Sequence, residues 1–218
     1  MDIDDRLTRL RNARLYFVCD AKPRGKAPDE LLAAAIKGGA GLIQMREKEA
    51  RADEELVALS EPFRRAARDH DVLFILNDRP DLVAACGADG VHIGQDDMPV
   101  AEARAAAGPT AVVGLSTHSA EQVDAACTAV GGARPDQISV GPVWETPTKE
   151  GRPAAGLGLI RHAAAHATLP WFAIGGIDPD NVGEVVAAGA ERIVVVRAIR
   201  DAPDPEAAAR RLREALGG

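Results

Sequence analysis

Short apolar runs alternate along the chain with longer, alanine-rich stretches whose apolar residues recur at helical spacing. Leu15-Tyr16-Phe17-Val18-Cys19 is the first run, followed by a helical pattern near Pro28 to Lys37; next come Leu42-Ile43-Gln44-Met45 and a helix near Asp53 to Asp69. The alternation then predicts strands at Val72 to Leu76, Gly90 to Ile93, Ala111 to Leu115, Gln137 to Val140, Trp171 to Ile174 and Ile193 to Val196, each followed by a helical pattern. These strands read as nearly all apolar, as expected where helices cover both faces of a parallel sheet. Eight strand and helix pairs without an intervening linker predict an α/β fold, a (β/α)8 TIM barrel spanning residues 1–218 as one domain, with a leading helix before Leu15. A doubly wound open sheet is the rival, and the strand count favours closure.

Composition narrows the function classes. The 218 residues suffice for one sizeable core, and 46% of them are apolar. No run approaches the ~18 apolar residues of a membrane span. The start, Met1-Asp2-Ile3-Asp4-Asp5, has the wrong sign for a secretion signal, so the expected compartment is the cytosol. A net charge of -7, from 33 acidic and 26 basic residues, together with dispersed basic positions and few aromatics, argues against a nucleic-acid partner. Cys19, Cys86 and Cys127 are far apart and form no CxxC, so they read as buried thiols rather than a disulfide or zinc framework. His162 and His166, four apart on a helix outside the barrel, read as surface residues.

In a barrel of this kind, function sits at the carboxyl ends of the strands. Asp78 and Asp97 each follow an apolar segment and flank the strand Gly90-Val91-His92-Ile93; two carboxylates so placed can share a Mg2+ ion. Capping of the turns before Pro80 and Pro99 is the alternative for each one. Gln44, Arg46 and Lys48 alternate along an emerging strand, so all three aim one way, and the arginine and lysine suit phosphate oxygens. Ser116-Thr117-His118 follows the fifth strand as either a helix cap or a ligand contact, with no base evident to make Ser116 a nucleophile. Gly175-Gly176 after the seventh strand and Val196-Arg197 after the eighth lie where barrels commonly hold a phosphate; a plain tight turn is the other reading of the glycines. The long loop Gly141-Pro142-Val143-Trp144-Glu145-Thr146-Pro147-Thr148-Lys149 follows the sixth strand and can close over a substrate.

Taken in order, Gln44-Met45-Arg46-Glu47-Lys48, Asn77-Asp78-Arg79, Gly90 to Asp97, Gly114-Leu115-Ser116-Thr117-His118, Thr146-Pro147-Thr148-Lys149 and Ala173-Ile174-Gly175-Gly176-Ile177 make the chain from about Leu15 to about Leu212 resemble the thiamine phosphate synthase family. The resemblance implies a transferase that joins a pyrimidine diphosphate to a thiazole phosphate, or its carboxylated form, with loss of diphosphate through a pyrimidine-stabilised carbocation. It implies Mg2+ on Asp78 and Asp97. It puts Gln44, Met45, Arg46, Glu47, Lys48, Asn77, Ser116 and Lys149 around the pyrimidine diphosphate, with Arg46, Lys48, Lys149 and Ser116 as the catalytic set. Thr146, Pro147 and Thr148, with Gly176, Val196 and Arg197, would meet the thiazole phosphate; many relatives carry Ser where this chain has Arg197. The implied partners are these small molecules, with homo-oligomer formation open. A thiazole tautomerase of the same superfamily and a noncatalytic sensor of thiamine precursors are the alternatives; the joint presence of the diphosphate set favours the synthase.

Overall fold

The computed structural model describes residues 2–25, 27–47, 51–145 and 153–217. Its eight parallel strands are β1 (Leu15–Cys19), β2 (Ala40–Met45), β3 (Leu73–Asn77), β4 (Gly90–Ile93), β5 (Val112–Thr117), β6 (Gln137–Val140), β7 (Trp171–Ile174) and β8 (Ile193–Val195). They close into a barrel in chain order, with β8 pairing back to β1 from Leu15 opposite Ile193 to Phe17 opposite Val195. The chain thus forms a (β/α)8 barrel, as the alternation of apolar runs and helical patterns predicts.

Helices occupy the connections: α1 (Ile3–Asn12) leads, then α2 (Asp29–Lys37), α3 (Asp53–His70), α4 (Val83–Cys86), α5 (Val100–Ala107), α6 (Ala120–Thr128), α7 (Gly156–His166), α8 (Val182–Ala187), α9 (Arg197–Arg200) and α10 (Pro205–Ala215). Local chemistry starts several of them. Asp2, Ser119 and Asp204 each accept a backbone N–H three residues on, from Asp5, Gln122 and Ala207, satisfying donors that a first helical turn leaves without partners. α3 carries Asp53, Glu54 and Glu55 in its first turn and Arg68 and His70 in its last, matching the helix dipole at both ends. Among the described residues, no helix is long and apolar enough to cross a membrane.

Alternation of side chains along each strand divides the apolar residues into two cores. Phe17, Ile43, Met45, Phe74, Val91 and Val113 point outward and pack against helix residues such as Leu32, Phe63, Val123, Ile160 and Leu212. The inner core holds Tyr16, Leu42, Leu73, Ile75, Val112, Phe172 and Val194, and Leu10 of α1 joins it, sealing the amino-terminal end of the barrel. With that end plugged, the opposite end is left for a ligand.

Candidate active site

A cavity of about 430 Å3 opens at the carboxyl ends of the strands, within the range of ordinary small-molecule sites. Its lining brings together Gln44, Arg46, Asn77, Ser116, Gly176, Val196 and Arg197 from the sequence reading. The two faces of this space differ. Gln44, Asn77, His92, Ser116 and Ser139, from β2 to β6, supply polar groups; Val18, Ile174, Val194 and Val196, from β7, β8 and β1, supply an apolar wall.

Gln44 and Arg46 lie two residues apart, so both face the cavity, while Met45 between them is buried in the outer core. Gln44 is itself held by its amide, which donates to the Tyr16 hydroxyl at 2.5 Å. Glu47 is engaged by Arg51 at 3.3 Å. Arg46, after β2, and Arg197, after β8, stand two strands apart around the barrel and form no side-chain hydrogen bond or ion pair among the described residues, leaving two guanidinium groups available to anions. Two acids also line the wall, but each is already engaged. Asp178 accepts the backbone N–H groups of Asp180 and Asn181, and Asp201 is paired with Arg200 and Arg24, which hold its carboxyl below the usual range.

Asp78 and Asp97 meet at the ends of β3 and β4, beside this cavity. Neither caps a helix: Arg79 and Pro99 occupy the cap positions before the Pro80 turn and α5. Instead Asp78 takes a left-handed backbone conformation, φ 59°, anchored by its N–H on the His92 carbonyl at 2.9 Å and by the Asn77 amide on its carboxylate. Asp tolerates that conformation better than most residues, and such strain concentrates at functional sites. Asp97 accepts the Gly94 N–H at 2.7 Å. Desolvation among the strand ends, and then the facing Asp97 carboxylate, push the Asp78 pKa up to about 6, although the residue keeps an open side to solvent. Two hard oxygen donors that repel each other fit a divalent cation. Among the described residues, no group of three or more His, Cys, Asp or Glu side chains could hold a metal.

The turn after β7 is tightly packed, which the steric reading of Gly175-Gly176 requires. Gly175 has φ 111°, and a Cβ there would lie 2.5 Å from Pro142 Cα. Only glycine fits, because the segment after β6 is zipped to this turn by Val143 N–H on Ile174 O at 2.8 Å and Trp144 N–H on Gly175 O at 3.1 Å. That contact fixes where the segment leading to Thr146 departs. Lys48, Thr146, Pro147, Thr148 and Lys149 lie outside the described residues.

The sequence reading missed several cavity residues. Tyr16, His92 and Ser139 line the space, and His92 Nε2 lies 3.0 Å from Ser116 Oγ. Ser116 is not a helix cap; Ser119 fills that role for α6. The available signal was polar residues at period two inside apolar strands, as in Gln137-Ile138-Ser139-Val140. His118 also lines the cavity, with Nδ1 2.6 Å from the Gly141 carbonyl. On the outside, His162 pairs with Asp124 at 2.8 Å and stacks on His166, as surface residues do.

A family model described as thiamine monophosphate synthase matches residues 15–199. The chain is 51% identical over 208 residues to the thiamine-phosphate synthase of Thermus thermophilus, covering 94% of this chain and 98% of that one. It is 50% identical over 201 residues to the thiamine-phosphate synthase of Acidothermus cellulolyticus, covering 92% and 93%. Among solved structures, thiamine phosphate pyrophosphorylase from Pyrococcus furiosus superposes with a TM-score of 0.82 at 32% identity, over 96% of this chain and 97% of the other.

Proposed function

We propose that this chain, which belongs to the thiamine monophosphate synthase family and is a transferase, joins hydroxymethylpyrimidine diphosphate to thiazole phosphate, releasing diphosphate, or to its carboxylated form, releasing diphosphate and carbon dioxide. The observation that carries the reading is the division of charge around one cavity: Arg46 with the Asp78 and Asp97 pair on one side, and Arg197 with the Gly175-Gly176 turn on the other. Two separate anion-binding regions suit two phosphorylated substrates meeting between them.

Asp78 and Asp97 would hold Mg2+, which when bound supplies charge neutralisation at diphosphate oxygens. Arg46 adds a forked donor to the same group, and Lys48 and Lys149, by the family resemblance, further cations. Gln44 and Asn77 orient the pyrimidine diphosphate across the polar wall. Gly176, Val196 and Arg197 hold the thiazole phosphate after β7 and β8, where this fold commonly binds phosphate. Departure of diphosphate leaves a pyrimidine-stabilised carbocation, captured by the thiazole nitrogen. No protein nucleophile is required. The residues have to stabilise the departing charge, hold the ring nitrogen near the cation and keep water away, and the apolar wall of Val18, Ile174 and Val196 contributes to the last.

Identity near 50% to synthases over nearly the whole chain supports this over the tautomerase reading. The test incubates purified protein with both substrates, with and without Mg2+, and follows thiamine phosphate by mass spectrometry. Product that depends on the metal is expected. Folded protein that forms none would overturn the reading.

A further inference from the structure

Ser116, His92 and Ser139 of the cavity lining belong to a buried polar cluster that reaches back to Gln137. The strand register places Asn77 beside His92, His92 beside Gly114, and Gly114 beside Gln137. His92 and Gln137 therefore flank a residue without a side chain and meet across it. Gln137 Nε2 lies 3.0 Å from His92 Nδ1, and His92 Nε2 lies 3.0 Å from Ser116 Oγ and 3.3 Å from Ser139 Oγ. A Cβ on Gly114 would come within 2.1 Å of Gln137 Nε2 and 2.5 Å of His92 Nδ1, so the glycine makes room for this contact.

The line Ser116, His92, Gln137 has the order of a serine, histidine and acid triad, but an amide stands in the acid's place. An acid accepts from Nδ1–H and leaves Nε2 to take the serine proton. An amide nitrogen donates to Nδ1, which puts the imidazole proton on Nε2 and reverses the polarity of the line. As placed, Gln137 pairs through Nε2 and leaves the buried Oε1 without a partner; the reverse orientation would pair the oxygen with Nδ1–H and leave the NH2 group without one. Gln137 is 1% exposed and His92 8%, so water does little to relax either arrangement.

We propose that Gln137 is a positioning residue that makes Ser116 a hydrogen-bond donor toward bound substrate. Ser116 Oγ accepts from His92 Nε2–H, and Ser139 Oγ stands 3.5 Å away as a second donor. The Ser116 proton is then not spent within the cluster and turns to the cavity that the residue lines. With the other tautomer, Nε2 would capture that proton and present the substrate with lone pairs only. The proposal rests on the reading that Ser116 contacts the pyrimidine diphosphate, whose oxygens are acceptors.

Nitrogen-15 NMR of the ligand-free protein reads the His92 tautomer without any substrate. The Nε2–H form is expected, and a dominant Nδ1–H form would overturn the proposal whether or not the protein is a synthase. Gln137→Glu then exchanges donor for acceptor. Expected are conversion of His92 to the Nδ1–H form, a rise of about tenfold in KM for the pyrimidine diphosphate, and little change in KM for the thiazole phosphate. Adding Gln137→Glu to Ser116→Ala should cost nothing further, because the proton it redirects is gone; additive losses would count against the proposal. If Gln137→Glu does not fold, Gln137→Met, which removes the donor at similar volume, carries the same comparison with Ser116→Ala. Failure of the synthase reading shows separately, as absence of product from the parent enzyme.

Discussion

The two ends of the barrel treat the same residue types in opposite ways. At the amino-terminal end, carboxylates are neutralised. Asp89 accepts the Phe74 N–H at 3.0 Å and pairs with Arg6 of α1 at 3.0 Å; Asp136 accepts the Val113 N–H at 2.7 Å and pairs with Arg104 of α5 at 3.0 Å. Each Asp precedes a strand and satisfies a backbone donor of the strand before it, so both are built into the sheet. At the carboxyl end, Asp78 and Asp97 face each other, and Arg46 and Arg197 form no ion pair among the described residues. One end uses charge to hold the barrel shut; the other keeps charge unsatisfied so that a ligand can complete it.

Two substitutions, read in three measurements, break or sharpen that contrast. The largest effect is expected from Asp78→Asn on turnover: loss of one of two proposed metal-ligating charges should lower kcat/KM by about a hundredfold or more. Circular dichroism should show the fold intact, and steady-state kinetics near the parent's would remove Asp78 from the mechanism. Next is Asp136→Ala at the other end. This change leaves the Val113 N–H without its acceptor and Arg104 with only the carbonyls of Arg134 and Gly132, and should cost about 2 kcal/mol of stability in chemical denaturation while leaving kcat within about twofold. A large activity loss in that folded variant would contradict the division of labour between the ends.

The smallest effect is a stabilisation. In chelator-treated protein, Asp78→Asn should raise the Tm at neutral pH, since it removes a charge that burial and then the facing Asp97 disfavour, without disturbing a left-handed backbone that Asn also adopts. The sign follows from linkage. The folded pKa of Asp78 is raised from 3.8 to about 6, so the folded state holds this proton where the unfolded chain has lost it. The electrostatic cost is absent below about pH 4 and fully present above about pH 6. The Tm difference between variant and parent should therefore open as pH rises through that window; a difference that stays constant from pH 4 to pH 7 would mean that neither burial nor Asp97 disfavours the Asp78 charge.

Much of this architecture was legible in the chain. Gly90–Ile93, Gln137–Val140 and Trp171–Ile174 are strands at the boundaries read from apolar runs, because a strand covered on both faces must be apolar along its length. The rim residues were legible for a related reason: in a barrel of known strand order, whatever follows an apolar run emerges at the same end. Arg46, Asn77, Ser116 and Gly176 reach the cavity by that rule alone. The capping alternative for Asp78 and Asp97 was harder to settle, since both roles call for a carboxylate just ahead of a proline.

By itself, then, the sequence determined the fold class, the end that carries function and the ordered motifs that place the chain in its family, all of which depend on local periodicity and residue order. Only the tertiary structure decided that Asp78 and Asp97 oppose each other and that His92 sits between Ser116 and Gln137. Those contacts depend on barrel closure and strand register. Gln137 meets His92 from two strands away, across a Gly114 whose missing side chain leaves the space, and no spacing along the chain encodes that meeting.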